Sequence, residues 1–249
     1  MDDIAADPSH PRYASLLMRH RLEVAAEKGM LAWSAMIAHG RGEAFDYLLG
    51  ERTTTSALQA TRQALATLQA AKKPVLSING NVAALACDEM LRLADALSCA
   101  VEVNIFYRTP ERMKAILDHM NERKHVLGLE VPVLGHAPDA RIPGLEGPRA
   151  ACHRDGILES DAILVPLEDG DRCQALVAMG KEVIVIDLNP LSRSAQQATI
   201  TIVDELSRAL GNMLDFTASE GTLEVDSDYN HIAVLEEGVN EMLNAFKRP

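Results

Sequence analysis

Hydrophobic residues recur at two different spacings along this chain, and the change falls near residue 73. Before it, apolar positions three and four residues apart predict helices over about 13–29, 31–38 and 53–72. After it, short runs rich in β-branched residues predict strands over about 75–78, 101–105, 131–134, 162–165, 183–186 and 199–203. Between the strands, helical spacing predicts helices over about 83–97, 110–125, 172–179 and 204–216.

This alternation predicts an α/β protein with a Rossmann-like, mainly parallel sheet, helices on both faces and a helical N-terminal portion. We predict a single domain over 1–249, with the mainly helical portion at 1–72 and the sheet portion at 73–249. The Gly- and Pro-rich stretch 135–156 is typical of a lid or an interface loop. A last helix, over about 232–246, has an apolar face suited to the sheet or to a second subunit.

The composition limits the possible partners. The formal net charge of −12 disfavours binding to nucleic acid or to anionic membranes, so any phosphate-bearing ligand would need locally clustered arginines. The four cysteines form no C-x-x-C pair, which indicates reduced thiols rather than a zinc site or a disulfide framework. We expect a cytoplasmic protein, because residues 1–11 do not resemble a secretory signal and no apolar stretch approaches about 20 residues.

The most informative segment is 165–172, where an apolar run leads into Glu168, Asp169, Gly170, Asp171 and Arg172. The next β-branched run ends in the same way, at 187–189. Because parallel strands end at the same edge of a sheet, these two ends predict a ligand crevice. The acids could hold a divalent ion, orient a ribose hydroxyl, or cap the following helix. Capping accounts for one acid, so their number favours a ligand site.

A second candidate is the segment 39–46, where Gly40 and Gly42 flank Arg41. Glycines allow close approach of a backbone to a ligand, and the arginine matches phosphate. The alternative is an ordinary turn with a solvated arginine. The segment follows a predicted helix rather than a strand, so it is not a dinucleotide-binding fingerprint.

Two further strand ends carry polar residues. Asn79, Gly80 and Asn81 could bind an anion at a helix start, although such residues also form ordinary strand-to-helix turns. In the segment 104–109, Arg108 could bind phosphate or carboxylate, or lie on the surface. No P-loop, G-x-S-x-G or H-E-x-x-H motif is present.

Taken together, several blocks of this sequence resemble the archaeal phosphopantothenate synthetases, also called 4-phosphopantoate:β-alanine ligases. The resemblance covers nearly the whole chain and rests on residues 9–13, 27–30, 37–48, 79–81, 83–85, 102–109, 166–172 and 187–193. It implies ATP-dependent condensation of 4-phosphopantoate with β-alanine in coenzyme A biosynthesis. The carboxylate would be adenylated with loss of pyrophosphate, and the amine would then displace AMP. Mg²⁺ is expected with ATP, and a homodimer is implied.

The resemblance also assigns roles. ATP would contact the following residues: Arg19, Arg41, Asp169, Gly170, Asp171, Asp187, Leu188 and Asn189. Our own predictions for the catalytic residues are Arg41, His39 and Asn81. Those for phosphopantoate are Arg12, Asn104, Arg108 and Arg149.

The sequence departs from the family pattern in the 135–156 segment and at Leu17–Met18. This affects the substrate side of the site, whereas the nucleotide blocks are intact. Two other functions remain open at this stage. A kinase of the same pathway would release ADP, and a noncatalytic regulator would bind ATP without forming an amide.

Overall fold

A six-stranded sheet lies at the centre of the fold, in a computed structural model that describes residues 7–245. Its strand order is β3-β2-β1-β6-β7-β8, and all neighbouring strands are parallel. These strands are β1 (Pro74–Ile78), β2 (Ala100–Val103), β3 (Val133–Leu134), β6 (Ala162–Leu164), β7 (Glu182–Ile186) and β8 (Ile200–Ile202). The prediction of a Rossmann-like parallel sheet is confirmed, and each predicted run forms a strand.

Helices cover the sheet and supply most of the remaining core. They are α1 (Tyr13–Glu27), α2 (Ser34–Leu49), α3 (Thr55–Ala70), α4 (Gly80–Leu85), α5 (Cys87–Ala96), α6 (Pro110–Leu127), α7 (Gly170–Ala178), α8 (Arg193–Gln197), α9 (Leu206–Glu220) and α10 (His231–Leu243). Helix α3 packs against β8, α9 and α10, so the helical N-terminal portion contacts the sheet portion directly. A single domain would have such contacts, and that organisation stays a prediction.

Helix α2 differs most from its predicted form. The predicted helix stopped at residue 38, whereas the observed helix runs through Gly40 and Gly42 and ends at Leu49, where Gly50 caps it with a φ of 87°. The segment 39–46 is therefore helix, and its interpretation as a turn was wrong. A Cβ atom on Gly42 would lie 3.5 Å from the Leu188 side chain, so the missing side chain lets α2 pack closely on the loop after β7. Tertiary packing overrides the low helix propensity of glycine here.

Two other helices differ from prediction. The helix predicted over 83–97 is two helices, separated at Ala86, whose φ of −144° and ψ of 35° are not helical. The last helix packs on α3 and α2 of its own chain and ends at Leu243, and Phe246 of the predicted helix lies outside the described residues. Within residues 7–245, no helix is long and apolar enough to span a bilayer.

The irregular segment 135–156 is anchored on the sheet. It contains β4 (Ala140–Arg141) paired antiparallel with β5 (Ala151–Cys152), and a π-helical turn at Arg154–Leu158 follows. The buried Glu102 carboxylate, on β2, accepts the backbone N–H groups of His153 at 2.9 Å and Ile157 at 2.8 Å. Burial raises the pKa of Glu102 despite these bonds. A side chain of the sheet thus fixes part of the segment that the sequence suggested was a lid or an interface loop.

The strand order defines a topological switch point. From β1 the chain proceeds to β2 on one side, whereas β6 lies on the other side of β1. The loops after β1 and β6 meet there, where Asn79 Nδ2 donates to the Pro166 carbonyl at 2.9 Å. Ligands of open α/β sheets bind at such a point, beyond the carboxyl ends of the strands.

Candidate active site at the carboxyl edge of the sheet

The strand ends after β6 and β7 lie side by side, as the sequence predicted. Leu164 is paired with Ile184, and the pairing continues beyond the strands: Leu167 N–H donates to the Ile186 carbonyl at 3.0 Å. Asp169 and Asp187 therefore follow adjacent strands at the same edge of the sheet.

Glu168 does not face the crevice as a free acid. Its side chain is 2% exposed and forms ion pairs with Arg149 and Arg172, themselves 9% and 1% exposed. We call these three residues the Glu168 cluster. Two guanidinium groups and one carboxylate leave a formal charge of +1, and both arginine Nε atoms are buried without a hydrogen-bond partner. The buried part of the switch point thus carries one excess positive charge, and the exposed carboxylate of Asp169, 2.9 Å from Arg149 Nη1, pairs with it from the solvent side.

The start of α7 lacks a side-chain cap. The other helices that follow strands of this sheet are capped by side-chain oxygens, in α4, α6, α8 and α9 by Asn79, Thr109, Ser192 and Glu205. Asp169 occupies the capping position of α7 but makes no such bond. The first N–H groups of α7 consequently remain available to an anion.

The acids around this helix start face solvent. Asp169 is 58% exposed and lies 2.9 Å from Arg149 Nη1, while Asp171 is 70% exposed and lies 2.5 Å from Arg193 Nη1. Arg193 also lies over Gly170, where a Cβ atom would come within 2.6 Å of its Cγ atom. A side chain at position 170 would therefore force Arg193 out of this position.

Asp187 organises the loop after β7. Its carboxylate accepts hydrogen bonds from the Asn189 N–H group at 2.9 Å, Ser192 Oγ at 2.5 Å and Ser194 Oγ at 3.3 Å. Burial raises the pKa of Asp187, and the hydrogen bonds and the charge of Arg41 partly oppose that rise. Arg41 is exposed on α2, so this electrostatic interaction connects α2 with the strand end.

Ion pairs hold α1 and α2 over this edge of the sheet. Arg19 donates to Glu43 through Nε at 3.1 Å and Nη2 at 2.7 Å, and Ser15 adds a third bond at 2.5 Å. Although burial alone would raise the pKa of Glu43, these bonds lower it. Asp46 accepts Arg208 Nη2 of α9 at 2.5 Å.

A small cavity of about 70 Å³ lies beneath α2, and His39 and Asn81 both line it. The other lining residues come from α1, α2, α4, α9 and the loops after β6 and β7: Met18, Ala38, Gly42, Glu43, Asp46, Leu85, Leu167, Leu188, Glu205 and Leu206. The Nε2 atom of His39 is buried without a partner, and burial lowers the pKa of this imidazole. Two of the predicted catalytic residues thus share one cavity.

The predicted substrate residues divide into two places. Asn104 Nδ2 donates to the Arg149 carbonyl at 3.3 Å and the Ala151 carbonyl at 3.0 Å, while its Oδ1 atom is buried without a partner. Arg108 donates to the Gly135 carbonyl at 2.6 Å in the same region of the sheet. Arg12 instead precedes α1 and lies 5.5 Å from the ring centre of Tyr47.

Sequence reasoning missed several residues that build this site. Glu43 and Asp46 lie in a conspicuous segment, yet their partners are 24 and 162 residues away in the chain. Glu102 lies in a strand and reaches backbone groups more than 50 residues away, at 51 and 55 residues. No local sequence pattern predicts these long-range contacts. Among the described residues, no group of three or more His, Cys, Asp or Glu side chains is suited to hold a metal ion.

The fold and the site define a doubly wound α/β protein whose ligand crevice lies at the switch point, with a positive charge and an uncapped helix start inside it. Residues 56–245 match the model of the phosphopantothenate/pantothenate synthetase family, and the chain belongs to that family. The resemblance predicted from the sequence is confirmed.

Three archaeal relatives, each named 4-phosphopantoate–beta-alanine ligase, show how far the similarity extends. The Thermococcus onnurineus protein is 54% identical over 83% of this chain and 78% of its own length. The Thermococcus kodakarensis protein is 49% identical over 90% and 86%, and the Methanosarcina mazei protein 46% over 99% and 97%. The prediction of an enzyme of the ligase class is likewise confirmed.

We predict that Glu168→Ala destabilises the fold, because it leaves Arg149 and Arg172 buried without their carboxylate. Breaking a buried ion pair from one side costs about 3–5 kcal/mol. Urea denaturation should show this loss in the free energy of unfolding. The control, Asp169→Ala, removes an exposed partner of Arg149 and should cost about 0–1 kcal/mol. Equal losses in the two variants would contradict a structural role specific to Glu168.

Proposed function

We propose that this protein is an ATP-dependent ligase that condenses 4-phosphopantoate with β-alanine to form 4′-phosphopantothenate, a step of coenzyme A biosynthesis. The reaction proceeds through an acyl-adenylate and releases AMP and pyrophosphate. Family membership supports the choice of reaction. The observation that carries the proposal is the uncapped start of α7 beside the positively charged Glu168 cluster, which suits a phosphorylated ligand.

ATP would bind along the ends of β6 and β7. The first N–H groups of α7, at Gly170 and Asp171, face the phosphates, while the loop 187–189 borders the nucleoside. Arg41 meets the phosphates from α2. Arg19 uses Nε and Nη2 for Glu43, which leaves Nη1 for a phosphate oxygen.

Magnesium would accompany the triphosphate. In nucleotide sites Mg²⁺ is usually held by one or two carboxylates together with phosphate oxygens and water. The described residues fit that mode, because they form no protein-only cage and Asp169 and Asp171 are exposed beside the helix start. Bound there, the ion would neutralise charge on the phosphates.

Phosphopantoate would bind next to the nucleotide, on the β2 side of the switch point. Asn104 offers an unpartnered Oδ1 atom for a hydroxyl group, and Arg149 and Arg108 supply positive charge. Arg149 is 2.9 Å from Asp169, so the two ligands would meet at the Glu168 cluster. Arg12 lies apart from these residues, beside Tyr47, and its contact with the substrate stays a prediction of the sequence.

In the first step, a carboxylate oxygen of phosphopantoate attacks the α-phosphorus of ATP, and pyrophosphate leaves. Arg41 stabilises the negative charge that develops on the phosphates. In the second step, the amine of β-alanine attacks the acyl carbon and AMP leaves. His39 and Asn81 lie in the cavity beside the nucleotide loop and act on this step.

The products test this proposal directly. Purified protein incubated with ATP, 4-phosphopantoate and β-alanine should form AMP and pyrophosphate in step with an amide product, measured by chromatography and mass spectrometry. Omission of either substrate should stop amide formation. Release of ADP would instead indicate a kinase, and ATP binding without an amide would indicate a regulator.

We expect Arg41→Ala to abolish turnover while the fold stays intact. Each lost charged hydrogen bond to a phosphate costs roughly 1.5–3 kcal/mol, and Arg41 is exposed, so the protein core is unaffected. AMP formation and thermal unfolding measure the two effects. Arg92→Ala, an exposed arginine on α5, serves as the matched control and should retain activity. An active Arg41→Ala protein would remove this residue from the site.

A homodimer is also proposed, through the outer face of α2. Trp33, the residue before α2, and Ile37 within it are 84% and 69% exposed, and large exposed apolar side chains of this kind suit a contact with a second subunit. On the apolar face of α10, in contrast, Val234 and Leu235 are already buried against the rest of the same chain. A cytoplasmic location stays a prediction of the sequence.

We predict that Ile37→Glu converts the dimer to a monomer, because a buried unpaired carboxylate in the interface is costly. Size-exclusion chromatography with light scattering reports the mass of each variant. Val126→Glu, which changes a 62% exposed residue on α6, should leave the dimer intact. A dimeric Ile37→Glu protein would place the interface elsewhere.

A further inference from the structure

We propose that the cavity beneath α2 is the binding site of β-alanine and that His39 is the general base that deprotonates its ammonium group. This inference rests on the proposed function and assigns the second substrate and the proton acceptor that the ligase reaction requires. Three observations carry it: the size of the cavity, its position, and the state of its polar groups.

The size of the cavity fits a short amino acid. A volume of about 70 Å³ provides room for roughly five water-sized groups. β-Alanine is about that large, whereas phosphopantoate and ATP are much larger. Apolar side chains, among them Met18, Leu85 and Leu206, line its walls and suit the two methylene groups of β-alanine.

The position of the cavity suits attack on the acyl-adenylate. Leu167 and Leu188 line it, and these residues belong to the loops after β6 and β7. The same loops carry the strand ends where the nucleotide is proposed to bind. An amine held against them would lie next to the activated acyl carbon, as an attacking group must.

Among the acidic and basic side chains that line the cavity, His39 is the one available to act as a base. The acids that line the cavity already accept donors: Glu43 from Arg19, Asp46 from Arg208, and Glu205 from the N–H groups of Ser207 and Arg208. His39 Nε2, in contrast, is buried and has no partner. A substrate ammonium group entering the cavity would supply the missing donor.

Burial keeps His39 neutral before the amine arrives. Burial is the main cause of its lowered pKa; Arg19 lowers it further, and Glu43 opposes both. Asp46 and Glu205 face the same cavity from α2 and α9, and both are bonded to other donors. A neutral imidazole near pH 7 is the form that can accept a proton.

The β-alanine nitrogen loses two protons as the amide forms. His39 Nε2 takes one proton from the ammonium group, which frees the electron pair of the nitrogen. The nitrogen forms a bond to the acyl carbon, and the bond from that carbon to the AMP oxygen breaks with its electron pair leaving on AMP. His39 releases its proton to water, and the second proton lost by the nitrogen follows the same route.

A comparison of two nucleophiles tests this role. Hydroxylamine is already neutral near pH 7 and captures an acyl-adenylate as a hydroxamate without a base. For His39→Gln we expect amide formation with β-alanine to fall about 100-fold or more, the usual contribution of a general base. Hydroxamate formation from ATP, phosphopantoate and hydroxylamine should stay within about twofold of wild type.

The pH dependence of kcat/KM and a matched control variant test the same role independently. In the wild type, kcat/KM for β-alanine should fall at acidic pH as His39 is protonated, below the usual range of a histidine because its pKa is lowered. In His39→Gln this inflection should vanish, and kcat/KM should instead rise steadily with pH in proportion to the free amine of β-alanine. His119→Gln is the control, since His119 on α6 is also half-buried with a pKa lowered by burial, but lines a different cleft.

The outcomes separate the two proposals. Equal losses with β-alanine and hydroxylamine would mean that His39 supports adenylation or folding, and would overturn its role as base. Unchanged amide formation in His39→Gln would overturn it as well. If the wild type itself forms no hydroxamate, the acyl-adenylate route fails, and the assignment of His39 fails with it.

Discussion

The buried Glu168 cluster is the interaction on which the site is built. Removing three charged groups from water is expensive, and the arrangement persists because Glu168 bonds Arg149 and Arg172 together. It joins the segment before β5 to the loop after β6, beside Ser77 of β1, which receives a hydrogen bond from Arg172. The excess positive charge then lies at the switch point, where the exposed Asp169 pairs with Arg149 and where an anionic ligand can also bind.

A second set of ion pairs holds α2 over the loops after β6 and β7. Asp46 joins α2 to α9 through Arg208, and Glu43 joins α2 to α1 through Arg19. Because Gly42 lets α2 approach Leu188, the covering helix lies directly on the proposed nucleotide loop. Helix α2 therefore contributes both an exposed arginine, Arg41, and a half-buried histidine, His39. The proposed phosphate contact, Arg41, and the proposed general base, His39, thus belong to one helix.

The fold was more predictable than the site. β-Branched runs located every strand of the parallel sheet, since a strand buried on both faces has a continuous apolar sequence. Helix α2 was predicted too short, because Gly40 and Gly42 are poor helix formers in isolation and only packing compensates. Glu168 was grouped with Asp169 and Asp171 as a ligand-facing acid, whereas it is buried. Its partner Arg149 is 19 residues away, in a segment whose course the sequence does not reveal.

Periodicity, capping residues and the family blocks are local patterns, and they suffice for the class of fold, the family and the edge of the sheet that carries polar residues. The pairing of charges is not local. Whether a carboxylate faces a ligand or an arginine depends on which distant segment lies against it and on how much water is excluded. The roles of Glu168, Glu43 and Glu102 were therefore decided in three dimensions, by burial and by partners that no spacing along the chain encodes.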